Sequence, residues 1–108
     1  MLDVSHQLAS QVGDKRTMSE VLRHLGIAEN RAGRLDTARQ RLEESVRLRR
    51  DIGLMPGVAA NLVGLAYVAA GNGDHDEALA LLKEAAAIAE VSGAHRITRQ
   101  VEEARAQL

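Results

Sequence analysis

Gly13, Gly53 and Gly93 stand forty residues apart, and the chain overlies itself at that spacing without a gap. A gapless internal period of this length means one supersecondary unit repeated and stacked, which limits the fold more than any other feature of the sequence. Leu22 falls on Leu62, Leu25 on Leu65, Gly33 on Gly73, Ala38 on Ala78, Leu42 on Leu82 and Leu48 on Ile88. Gly26 falls on Ala66 and Ser45 on Ala85, small residue on small residue. The ends carry partial copies: Leu2, Ser5, Leu8 and Val12 match Leu42, Ser45, Leu48 and Ile52, and Gly93 restarts the unit. The reading is a single domain over 1–108. It comprises a partial repeat (1–12), full repeats (13–52 and 53–92) and a C-terminal capping helix (93–108).

Each unit predicts two helices. Met18, Val21, Leu22, Leu25, Ala28 and Ala32 recur at helical spacing, Gly33 interrupts, and Leu35, Ala38, Leu42, Ser45, Leu48 and Ile52 resume it. Gly53 closes the second helix, because glycine accepts the left-handed backbone that ends helices. Pro56 sits near a helix start, where its missing N–H costs least, and Asp74 with Glu77 has the spacing of a capping box. Tyr67 is the sole aromatic residue. A core of Ala, Leu, Val and Ile suits closely packed helices better than a β-sandwich. The expectation is about six helices and no strand, stacked as an all-α superhelix. Ile97, Val101, Ala104 and Leu108 form one apolar stripe in the last segment. There Glu102 and Arg105 replace earlier leucines, giving the polar outer side that a terminal cap requires.

The composition argues against most chemistry. A formal net charge of -1 predicts neither a nucleic-acid nor a membrane partner, and one aromatic ring leaves no stacking platform for single strands. No apolar run approaches the roughly 20 residues of a membrane span. The start, MLDVSHQLASQVGDK, lacks the features of a signal peptide. With no cysteine, a cytoplasmic protein is expected. His6, His24, His75 and His95 lack metal-ligand spacing, whereas zinc wants three or four converging ligands; His75 is expected to pack at its turn. Gly71-Asn72-Gly73 lacks the lysine and hydroxyl of a phosphate loop and reads as a tight turn. Glu43-Glu44 and Glu102-Glu103 are adjacent pairs that cannot face each other on a helix. Arg39, Arg41, Arg47, Arg49 and Arg50, interleaved with Glu43, Glu44 and Asp51, predict a solvated face. No catalytic residue, metal site or cofactor is expected, and an enzyme is the least favoured class.

The pattern resembles the tetratricopeptide repeat over essentially the whole chain. Leu25-Gly26, Gly33, Ala38 and Leu42 match the family's Leu-Gly pair, turn glycine, early alanine and following bulky residue. Leu65-Ala66, Gly73, Ala78 and Leu82 match them again. The unit is longer than the family's roughly 34 residues, Leu35 and His75 stand where a tyrosine is usual, and the closing proline is absent. The longer unit is similar to repeats in large bacterial regulators. The resemblance implies a protein-interaction scaffold of bacterial, cytoplasmic origin, with a ligand- or partner-sensing arm of a transcription or signalling regulator as the alternative. It also implies a concave partner groove lined by Glu20, Arg23, Ile27 and Asn30, then Ala60, Val63 and Tyr67, with Tyr67 the expected anchor. Of the family's clamp for a terminal carboxylate only Arg23 and Asn30 have counterparts, so a groove for an apolar protein or peptide segment fits better. Because 1–12 reads as the latter part of a second helix, a piece of a larger protein is expected. A homodimer is expected through the row Met18, Leu22 and Leu25.

Overall fold

Gly33, Gly53, Gly73 and Gly93 are the residues with positive φ, at 81°, 71°, 81° and 67°. The two angles within a unit and the two between units repeat with the forty-residue period. At these turns the chain reverses, giving five helices among the described residues: α1 (Val4–Arg31), α2 (Leu35–Asp51), α3 (Met55–Gly71), α4 (His75–Ser92) and α5 (His95–Gln107). The computed structural model describes the backbone of residues 4–108 and the side chains of residues 11–108, and no strand occurs among the described residues. Half of the expected capping box forms at α4: Glu77 N–H donates to Asp74 Oδ1 at 3.3 Å, while Asp74 N–H bonds back to the Ala69 carbonyl at 2.8 Å; Pro56 lies in the first turn of α3.

The expectation of six helices is corrected at Gly13. This glycine does not end a helix; α1 runs through it for 28 residues. At Gly53 a reversal is held by Leu54 N–H bonding back to the Arg49 carbonyl at 2.8 Å and by α3 docking on α2. Nothing lies within 4 Å of a Cβ built on Gly13. With no neighbour to reward a turn, the helical hydrogen bonds continue.

Each helix packs on the next, and the odd-numbered helices also touch: α1 meets α3 and α3 meets α5. The molecule is 17 Å thick along its shortest axis, room for two layers of helices at the usual 8–10 Å separation. Small residues set the closest approach. A Cβ on Gly26 would lie 2.7 Å from Leu42 Cγ and 3.3 Å from the Ala38 carbonyl, so it is Gly26, beside the half-exposed Leu25, that meets α2. In the next unit Ala66, Ala78 and Leu82 are all fully buried.

The two inter-unit junctions are built from opposite chemistry. Between α1, α2 and α3 four buried positions are polar: Ser19, Ser45, Arg49 and Asn61. Asn61 Nδ2 donates to Ser45 Oγ at 2.7 Å, and Ser45 Oγ to the Ser19 carbonyl at 2.7 Å. Arg49 Nε donates to Ser19 Oγ at 3.1 Å, and its Nη1 to the Gly57 carbonyl at 3.0 Å and to Asn61 Oδ1 at 3.2 Å. Forty residues on, the same positions are Ala59, Ala85, Ala89 and Val101, all buried and all apolar. Gly57 makes room for Arg49, a Cβ there lying 2.9 Å from Arg49 Cδ; forty residues on, the larger Ile97 goes with the smaller Ala89, both buried.

Arg49 therefore corrects the solvated arginine face: it is 7% exposed. Burial, and next the nearby Arg23 charge, hold its pKa below the usual arginine value. The other arginines also pair differently from expectation. Arg39 reaches Glu77 at 3.1 Å and Arg50 reaches Glu84 at 2.8 Å, both on α4, while Asp51 takes Lys15 of α1 at 3.6 Å. Side chains from neighbouring helices come closer than the acids one turn away on α2. His75, expected to pack at its turn, is exposed at the first position of α4.

Candidate functional site

A groove of about 260 Å³ opens along the three odd-numbered helices. Arg23, Ile27, Asn30 and Arg31 of α1 form one wall, Ala60, Val63, Gly64 and Tyr67 of α3 the centre, and Gln100 and Glu103 of α5 the far wall. Leu42 of α2, fully buried, reaches the floor between α1 and α3. Six of the seven residues expected from sequence meet here. Glu20 does not; its carboxylate lies 3.8 Å from Arg16 one turn back.

The side chains divide by chemistry. Ile27, Leu42, Val63 and the Tyr67 ring provide apolar surface at the centre. Arg23 and Arg31 put positive charge on the α1 wall, and Glu103 puts negative charge on the α5 wall. Tyr67 is half-buried, packing its ring against the core while its hydroxyl donates to Gln107 Oε1 at 3.1 Å. The side chain is thus attached to the core and to α5 while it lines the groove. Such a site can hold an apolar side chain and orient it by charges at its margins.

Arg31, Leu42, Gly64, Gln100 and Glu103 were not expected. The signal for four of them was in the sequence. Gly64 follows Ala60, and Arg31 follows Ile27, by one helical turn. Gln100 and Glu103 are the forty-residue counterparts of Ala60 and Val63, and Gln107 is that of Tyr67. Reading α5 solely as a polar cap hid its share of the groove.

Among the described residues, no three His, Cys, Asp or Glu side chains are grouped to hold a metal ion. None of the helices there is long and apolar enough to cross a membrane. Compared with known proteins, the chain matches no family model, no curated protein and no solved structure, so a functional reading must come from its own geometry.

Proposed function

We propose that the chain is a non-catalytic interaction scaffold, a short superhelix of tetratricopeptide-like repeats that takes a protein or peptide segment in the groove along α1, α3 and α5. The observation that carries this is the convergence of equivalent positions from three successive units. Arg23, Val63 and Glu103 occupy one register of the period, and Glu20, Ala60 and Gln100 another. Five of these six line the groove. A stacked repeat that varies its residues at one face while keeping its packing residues is arranged for recognition along that face. The favoured ligand is a segment with one bulky apolar side chain against Tyr67 and an acidic group toward Arg23 and Arg31.

The runner-up is the sensing arm of a bacterial regulator, holding a small molecule. Small-ligand sites usually enclose about 300–1,000 Å³. The groove volume of about 260 Å³ falls below that range and matches one inserted side chain better. A random dodecapeptide library displayed on phage and panned against the immobilised chain tests the reading. Enriched peptides should carry an apolar residue near an acid, and should shift the amide resonances of Arg23, Asn30, Tyr67 and Gln100. No enrichment, or shifts confined to other surfaces, would overturn it.

A further inference from the structure

Met18, Val21 and Leu25 form an apolar row on α1 that no other helix covers, at 52%, 47% and 44% exposure. Leu22, expected in this row, is instead 5% exposed and faces inward, since one residue along a helix turns the side chain by about 100°. The forty-residue overlay says what the row is built for. Its counterparts on α3 are Val58, Asn61 and Leu65, all buried, on the helix that packs against α2. The α1 row is thus the face that, in the second unit, receives a helix.

We infer that a second copy of this chain supplies that helix, by antiparallel packing of α1 on the partner's α1. This names one partner of the scaffold proposed above and uses a face that helical spacing separates from the groove residues Arg23, Ile27 and Asn30. The row is self-complementary in that arrangement. With the two helices crossing at the level of Arg23, Val21 lies against the partner's Leu25, and Met18, large, lies against the partner's Ala28, small and exposed. Head-to-tail stacking is disfavoured because α5 turns Glu102 and Arg105, both exposed, toward any unit that would follow. A symmetric pairing closes on itself instead. The 28 residues of α1 span about 42 Å, long enough for the contact without rearranging α2.

Sedimentation equilibrium at tens of micromolar should give twice the chain mass. Val21→Glu should weaken the dimer at least about tenfold, because the charge would be buried unpaired, with helicity unchanged. Val91→Glu should leave it intact, since Val91 of α4 is 90% exposed and outside the row. The chain has no cysteine, so Met18→Cys with Ala28→Cys should oxidise to a covalent dimer while either single variant does not. A monomer throughout the range would overturn the proposal, as would a dimer indifferent to Val21→Glu or one that fails to cross-link in the double variant. A monomer that dimerises only when residues 1–12 are removed would place the chain's own N-terminal segment on the row, and would equally overturn it. None of these outcomes bears on peptide binding in the groove, which Val21→Glu should leave unchanged.

Discussion

Arg49 of α2 donates to the Ser19 hydroxyl of α1 at 3.1 Å, in a junction whose counterpart one period later is Ala89 beside Ala59. Equivalent positions of the period thus hold a hydrogen-bonded cation in one junction and buried alanines in the other. Removing the Arg49 side chain should be costly: Arg49→Ala leaves the buried Asn61 Oδ1 without its donor, at about 1–3 kcal/mol for a buried group left unpaired, and empties the space its stem fills, while Ser19 Oγ keeps its bond to the Arg16 carbonyl. Transplanting the apolar junction whole, as Ser19→Ala, Ser45→Ala, Arg49→Ala, Gly57→Ile and Asn61→Val, should restore stability to within about 1 kcal/mol of the parent, because exchanging a buried polar set for packed apolar groups is often neutral or stabilising. Urea unfolding of the two variants checks this. A five-fold variant no more stable than Arg49→Ala would mean the two junctions are not geometrically equivalent.

Two glycines flank Leu42 and should respond oppositely to alanine. A Cβ on Gly26 would sit 2.7 Å from Leu42 Cγ, inside contact distance, whereas one on Gly64 would sit 3.4 Å from Leu42 Cδ1, in ordinary contact. Leu42 is fully buried and has little space to give. Gly26→Ala should therefore destabilise by about 1–3 kcal/mol, the cost of overpacking. Gly64→Ala should stabilise by up to about 1 kcal/mol through helix propensity. Thermal melts of the pair give the sign directly.

Much of this was legible because the period is carried by local choices. Gly33, Ala38 and Leu42 announce turn, close approach and core in a stretch of ten residues, and their counterparts repeat it. Gly13 was misread because a glycine ends a helix only when something downstream packs to hold the reversal, and that information is not local. Arg49 was misread because an arginine among arginines and glutamates looks like surface. The overlay held the correction, since Arg49 falls on Ala89 and Gly57 on Ile97, a paired exchange of volume that only a shared buried site requires. In the groove, six residues were found by carrying the resemblance to the tetratricopeptide repeat over to this chain. Glu103 was discounted as half of an acidic pair, although its counterpart Val63 had already marked that register.

The α1–α2 turn carries a charge pair with a pH signature. Glu29 accepts from Arg34 Nε, and this hydrogen bond, aided by the positive charges of Arg34 and Arg41, holds the Glu29 carboxyl below its ordinary value of 4.5. A carboxyl depressed in the folded state contributes stability above its unfolded pKa, and loses that contribution as pH falls through the folded one. The contribution is therefore fully present at neutral pH, and its pH dependence is confined to acid, below the ordinary value of 4.5. Carboxyl-detected NMR titration should show Glu29 titrating below the other glutamates, and Arg34→Ala should return it to the ordinary range. An unchanged Glu29 midpoint in that variant would mean the pair does not persist in solution.

Tyr67 has two attachments, and they can be separated. Its ring packs against the core and lines the groove, while its hydroxyl bonds to Gln107. Tyr67→Phe removes only the hydrogen bond, which is exposed and worth no more than about 0.5–1.5 kcal/mol, and should leave peptide affinity within about threefold. Tyr67→Ala removes the groove's aromatic surface and should weaken a library-selected peptide by about 2 kcal/mol, roughly 30-fold, on the hot-spot scale. It should also lower the melting temperature, because part of the ring is buried. Arg47→Ala, at an exposed position of α2 away from the groove, provides the neutral control. Calorimetric titration well below the melting temperature of the variant separates lost binding from lost folding. Unchanged affinity in folded Tyr67→Ala would make the ring a packing residue alone and move the recognition surface out of the groove.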